Sequence, residues 1–212
     1  MLYCFFIARS QPEIENLSFR TFHGAPVHFV RQQDLVAAVR TLPAGARSSP
    51  QLMLEHTSVL ATVSKRATVL PLRFGTSFRS EAAVAQLLAA RAPELLAALE
   101  RLDGKAEMSL RMNIAEEESV HKRAAEIAEV CHPLDSWVEV APNPAGGKVL
   151  ELAHLIHRQD VEGYRNRVKQ HVADVAGPRP PFHFLPQFLR WPVKAERRAR
   201  PASRQEDLAR RN

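Results

Sequence analysis

Lys105-Ala106-Glu107-Met108-Ser109-Leu110-Arg111-Met112-Asn113-Ile114 is the stretch that decides the fold. Ala106, Met108, Leu110, Met112 and Ile114 alternate with Lys105, Glu107, Ser109, Arg111 and Asn113. Successive side chains of a strand point to opposite sides, so this period of two predicts a strand with one buried and one wet face. The period just upstream is helical instead. Val84, Leu87, Leu88, Leu95, Leu99 and Leu102 recur at helical spacing up to Gly104, with Ser80 as the N-cap, Glu81 in the first turn, and Pro93 set to kink the helix or start a second one.

Downstream, Val120, Ala124, Ile127 and Cys131 make a helical stripe, and Trp137–Val140 reads as a strand. Pro142 to Gly147 turns the chain into a second strand over Val149–Ile156. Val161, Tyr164, Val168, Val172 and Val175 predict a further helix, and Phe182–Leu185 a last strand. The order β-α-β-β-α-β is the ferredoxin-like, split βαβ arrangement.

Towards the N-terminus, Thr68–Phe74 is a short β-rich run in which Pro71 cannot donate to a ladder, which marks an edge or a bulge. Leu52, His56, Val59, Leu60 and Val63 form one apolar helix face, preceded by the Pro/Gly/Ser-rich stretch Pro43–Pro50. Val27–Val30 and Leu35–Val39 read as strands joined by Arg31-Gln32-Gln33-Asp34, after a loop that ends near Gly24-Ala25-Pro26. Leu2–Ala8 is a continuous apolar run, the pattern of a buried strand. The expected class is therefore α+β. Two small sheet-plus-helix domains cover residues 1–103 and 104–187, the second ferredoxin-like, and a basic, flexible tail follows over 188–212.

With 212 residues, 45% hydrophobic and 25% charged, the chain is too apolar to stay unfolded. The net charge of +6 invites a nucleic-acid partner, but its position argues against one. Lys194–Asn212 carries seven Lys/Arg against three Asp/Glu, which is most of the excess. The polar face of the 105–114 strand offers no aromatic platform for bases. Cys4 and Cys131 lack the spacing of a zinc site or disulfide framework, which fits a reducing compartment. Leu2–Ala8 is too short to span a bilayer and has no basic segment before it, so the expectation is a cytoplasmic protein without a membrane partner.

Few residues suggest chemistry. The eight glycines include a single adjacent pair, Gly146-Gly147, in a predicted hairpin, so no phosphate-cradling loop is expected. His154 and His157 fall on opposite faces of one strand, and His121 and His132 are far apart, so no metal site is expected. Glu55-His56 is an acid/base pair by composition, but helix neighbours diverge by about 100°, and His56 lies on the apolar stripe as a core histidine would. Arg73, between Leu72 and Phe74, is open to two readings: an internal ion pair that fixes the strand-to-helix corner, or a guanidinium offered to an anionic partner. Gly177-Pro178-Arg179-Pro180-Pro181-Phe182 is proline-locked, and suits either a groove-binding segment or an edge that proline keeps from pairing.

Thr68-Val69-Leu70-Pro71-Leu72-Arg73-Phe74-Gly75-Thr76, followed by Phe78-Arg79-Ser80-Glu81, closely resembles the central signature of the GvpL/GvpF family of gas vesicle proteins. Glu55-His56 with Val59-Leu60 looks like that family's His-containing helix, and Gly104-Lys105-Ala106-Glu107 like its next strand. Gly177 to Phe184 is similar to its C-terminal Gly-Pro-Trp-Pro-Pro-Tyr motif, with Arg179 in place of the Trp and Phe182 in place of the Tyr. Thr57 stands where the family usually has Glu, and Met108 where Trp is common. The resemblance spans about Leu2 to Phe184. It implies a non-enzymatic accessory or minor structural component, associated with gas vesicles in the cytoplasm, that binds the hydrophobic shell protein and other accessory proteins and assists assembly without cofactor or metal. Partner contacts are then expected at Pro71, Arg73, Phe74, Gly75 and Thr76, and at Gly177, Pro178, Pro180, Pro181 and Phe182. A competing expectation is a small-molecule-binding or enzymatic protein using Arg73, Glu55 and His56, which requires the three to converge on one pocket.

Overall fold

The computed structural model of the chain describes residues 1–19, 26–43, 49–115 and 118–190. The first half consists of β1 (Leu2–Arg9), α1 (Pro12–Glu15), β2 (His28–Gln32), β3 (Leu35–Thr41), α2 (Pro50–Val63), β4 (Val69–Pro71), β5 (Ser77–Phe78), α3 (Glu81–Ala90) and α4 (Ala92–Arg101). The second half consists of β6 (Lys105–Ile114), α5 (Val120–Cys131), β7 (Asp135–Pro142), β8 (Lys148–His157), α6 (Val161–Val168), β9 (Asp174–Arg179) and the single turn α7 (Gln187–Arg190). The class is α+β, with helices packed on two sheets. Residues 20–25 of the loop expected up to Pro26 and 44–48 of the stretch expected between Pro43 and Pro50 fall outside the described residues, as does the tail from residue 191.

The first sheet has the order β2-β3-β1-β4, with β5 also pairing β1. It is covered on both sides, which is why Leu2–Ala8 reads as one apolar run rather than an alternation. Leu2, Cys4 and Ile7 pack with Leu88, Leu95 and Leu99 of α3 and α4. Tyr3, Phe5, Phe6 and Ala8 face Val59, Leu60 and Val63 of α2. A register shift between Cys4 and Phe6 moves the alternation by one residue. Ser49 and Ser80 cap α2 and α3 through Leu52 N–H and Ala83 N–H. Pro93, in the first turn of α4, sits beside a bend of 73° between α3 and α4. Among the described residues no single helix is long and apolar enough to cross a membrane.

The second sheet has the order β7-β8-β6-β9, with every neighbouring pair antiparallel. The elements follow one another as β-α-β-β-α-β. One face packs Met108, Leu110, Leu150, Leu152 and Ile156 against Ile127 of α5 and Tyr164 and Val168 of α6. On the other face Ala153 and Leu155 join the cluster of α3 and α4, so one apolar core draws on both halves of the chain. Leu189 of α7 belongs to that cluster too, so the packed body runs past 187 to Arg190.

Several expectations are corrected. The helix expected from Val161 through Val175 ends at Val168, and the last strand is Asp174–Arg179 rather than Phe182–Leu185. Valines at helical spacing also suit a strand, and the free margin of β6 recruits Val175 and Ala176 opposite Leu110 and Ser109. Pro180 and Pro181 lack N–H groups, and Phe182–Phe184 forms a 3-10 turn. Arg73 lies beyond the end of β4, in the turn before β5. Glu107, expected on the wet face of β6, is 0% exposed, while Met112 on the opposite face is only half-buried.

Candidate functional site

The turn that carries Arg73 is held from beneath. Burial keeps Tyr3 protonated by raising its pKa, and its hydroxyl accepts the Gly75 N–H at 3.3 Å while lying 2.8 Å from Nδ1 of His56. Burial lowers the pKa of His56 to about 4, so the ring is neutral and Nδ1 accepts the phenolic hydrogen. His56 also bonds to the Leu72 backbone. Residues on either side of Arg73 are thus tied to one buried pair. Thr76 closes the turn, its N–H and hydroxyl donating to the Arg73 carbonyl at 3.0 and 2.7 Å. Gly75 has φ +90, the region that favours glycine. The rings of Tyr3 and His56 pack on Phe74 with centroids 6.2 and 5.8 Å away. The guanidinium of Arg73 is left exposed, and no described residue forms an ion pair with it, so the internal pair considered for this corner is absent among the described residues.

The facing wall is built on the second sheet. Glu107 accepts the His183 N–H and lies against His183 Nδ1, both at 2.9 Å, which pins the turn after Pro180-Pro181 across β6. Gly177 makes this possible. Its φ is +118, and a Cβ there would lie 2.7 Å from the Glu107 carbonyl and 2.9 Å from Met108 Sδ. The His183 ring stands 6.0 Å from Trp137 of β7, whose other neighbour is Arg190, with Cζ 5.3 Å from the ring centre.

Between these walls is a cleft of about 290 Å³. Arg73 lines one side, Trp137, Glu139 and Arg190 another, and Phe182, Leu185 and Leu189 give it an apolar floor. Of the ten residues expected to meet a partner, Arg73 and Phe182 come together here. Pro71, Pro180 and Pro181 are buried as supports, Phe74 is half-buried on Tyr3 and His56, and Gly75, Thr76, Gly177 and Pro178 shape the backbone around the cleft without lining it. The alternative trio does not converge. Glu55 is buried against the Arg40 guanidinium, His56 against Tyr3, and Arg73 points into a cleft that neither of them lines. Among the described residues no group of three His, Cys, Asp or Glu side chains is placed to hold a metal ion.

Trp137, Glu139, His183 and Arg190 were not singled out from sequence. Trp137 carried no signal beyond strand propensity, and Arg190 lay in what read as tail. Only His183 lay within a motif, the stretch Gly177 to Phe184, although it was not named there as a contact residue.

The family model for gas vesicle synthesis protein GvpL/GvpF matches residues 1–130. Gas vesicle protein F of Streptomyces sp. (strain CB03234) is 31% identical over 105 residues, which are 50% of this chain and 44% of that protein, so the match spans less than half of the relative's length. The crystal structure of gas vesicle protein GvpF from Microcystis aeruginosa superposes with a TM-score of 0.71 at 16% identity, covering 86% of this chain and 98% of that one. That of GvpF from Anabaena sp. PCC7120 gives 0.66 at 18% identity, covering 86% and 94%. At these identities the structures establish a shared fold.

Proposed function

From the premise that the chain belongs to the GvpL/GvpF family of gas vesicle synthesis proteins, we propose that it is a non-enzymatic accessory or minor structural component that binds the hydrophobic shell protein and assists its assembly in the cytoplasm. Neither cofactor, nucleic acid nor membrane has a part in this role. A shell subunit before incorporation exposes apolar surface, and masking it calls for a shaped, partly apolar face rather than catalysis.

The observation that carries the proposal is the meeting of Arg73 and Phe182, from two distant motifs, in one cleft with an apolar floor and no internal ion pair on Arg73 among the described residues. Regions 1–103 and 104–187 act in this proposal as two units working through that shared face. The cleft is too small for a helix and suits one or two side chains of the shell subunit. Co-expression of the tagged chain with the shell protein tests it. Arg73→Gln and Phe182→Ala should each reduce co-purified shell protein, with thermal melts close to the parent for Arg73→Gln, whose side chain is exposed. Parent-like recovery with both variants would overturn the assignment of this face.

A further inference from the structure

A strand at a sheet margin offers unpaired N–H and C=O groups, and proteins blunt such margins with short strands, prolines, bulges and charge. Among the described residues the two sheets have five outer strands, β2, β4, β5, β7 and β9, of which β5 is only two residues long. β4 is three residues long and ends at Pro71. β9 carries Pro178, and its register with β6 shifts between Glu107 and Ser109. β2 lies beside α3 and holds Arg31, paired with Glu15. β7 has neither a bulge nor a proline before its last residue, Pro142, and its two charged residues, Asp135 and Glu139, are both acidic. Its eight residues are all exposed, it contains no Lys or Arg, and it runs in unbroken register along β8 from Asp135 opposite Leu155 to Pro142 opposite Lys148.

The side chains of β7 say what such a margin accepts. Val138 and Val140 stand opposite Leu152 and Leu150, at the border of the core under α5, yet remain 40% and 41% exposed. On the other face Glu139 stands directly opposite Glu151, and like charges in that position repel. Arg111, 3.5 Å from Glu151, relieves that carboxylate, while no described residue pairs with Glu139.

We propose that β7 is a strand-addition site for an extended segment of a partner polypeptide with alternating character. β-branched or other apolar residues of the segment continue the sheet over Val138 and Val140, and a lysine or arginine on its opposite face lies beside Glu139. Main-chain hydrogen bonds supply affinity and the alternate side chains supply selectivity. A second copy of β7 is the wrong occupant, because it brings another Asp135 and Glu139 to the margin and no cation. This site borders the Arg73 cleft, with which it shares Trp137 and Glu139, but its main-chain contacts run along the margin of β7 and its test does not involve the shell protein.

The test uses the full-length chain and three synthetic octapeptides: alternating Val and Lys, alternating Val and Glu, and the Val/Lys sequence with a central proline. Hydrogen exchange of the amides of residues 135–141 and an NMR titration are the readouts. The Val/Lys peptide should slow exchange in 135–141, and the Val/Glu and proline peptides should bind roughly tenfold more weakly or not at all. The net charge of +6 opposes a cationic peptide, so its binding reports the local site rather than general attraction. Val138→Lys should weaken binding roughly tenfold, and Glu139→Gln should remove the preference for Lys over Glu. Both side chains are exposed, and melting curves verify that the variants fold. Unchanged exchange in 135–141 at millimolar peptide, equal binding of the Val/Lys and Val/Glu peptides, or protection of these amides by self-association without peptide would each overturn the proposal.

Discussion

The hydroxyl of Tyr3 lies 2.8 Å from Nδ1 of His56 and accepts the Gly75 N–H on its other side, so one buried oxygen couples β1, α2 and the turn that presents Arg73. Tyr3→Phe keeps the ring packing on Phe5 and Phe74 but leaves a buried imidazole nitrogen and a turn N–H without their partner. The expected cost is about 1–3 kcal/mol by urea denaturation. Amide exchange at Gly75 should accelerate beyond the change in global stability, because the turn itself loses its anchor. Parent-like stability together with parent-like exchange would show that the turn is held by other contacts.

Acid should weaken the fold in a window set by two buried histidines. Burial lowers the pKa of His56 and of His154 to about 4, against an ordinary value of 6.5. Between those values the unfolded chain binds protons that the folded chain refuses, so stability rises with pH across this range and levels off above about 6.5. Acidifying from pH 7 towards 4.5 should therefore lower Tm progressively, with the decline already visible near pH 6, before the bulk of the carboxylates titrate. His154→Gln should flatten part of that slope, at some cost in stability because Tyr164 bonds to His154 Nδ1 at 2.8 Å. A parent Tm constant from pH 7 to 5 would contradict the buried-neutral assignment.

Much of the fold was legible because local pattern and tertiary demand agree. The period of two over Lys105–Ile114, the Ser80 cap and the break at Pro93 all appear where expected. Glu107 shows where such legibility stops. Its alternation assigns it to water, and only the return of Pro180–His183 across β6, many residues later, buries it. The end of α6 was missed for a related reason: Val172 and Val175 keep helical spacing, but pairing to β6 decides their conformation. The site was half legible. Arg73 and Phe182 stood in motifs, whereas Trp137 and Arg190 matter through a stacking contact between elements that no local pattern records.

Leu110 is 1% exposed and packed under α5 and α6, so Leu110→Ala should cost about 2–5 kcal/mol in chemical denaturation. A loss under about 1 kcal/mol would mean that the surrounding core collapses to fill the gap.

Gly177→Ala should disturb the second wall of the cleft without touching its lining. The added Cβ would meet the Glu107 carbonyl at 2.7 Å, and its neighbour in that contact is backbone, which cannot swing aside. The φ of +118 is also one that alanine rarely adopts. The expected result is a lower Tm together with loss of the Glu107–His183 contact, seen as a shifted His183 ring resonance. An unshifted resonance with an unchanged Tm would show that β9 relaxes around the methyl group.

The last prediction separates the Arg73 face from the basic tail. Lys194–Asn212 holds seven Lys/Arg with little apolar content, and exposed charges are screened beyond about 8–10 Å at physiological ionic strength. A segment with so few apolar residues gains little from burial and loses conformational entropy on binding, whereas Arg73 is presented by a turn already fixed through Tyr3 and Thr76. Deleting residues 194–212 should therefore leave the melt of the folded body unchanged and weaken shell-protein binding modestly, mainly at low salt. Arg73→Ala should weaken binding more, at both low and high salt, with a melt close to the parent because the side chain forms no ion pair with a described residue. Binding measured across a salt series for the parent and both variants, beside thermal melts, distinguishes the contributions. Abolition of binding by the tail deletion at high salt, with Arg73→Ala binding like the parent, would move the partner surface to the tail.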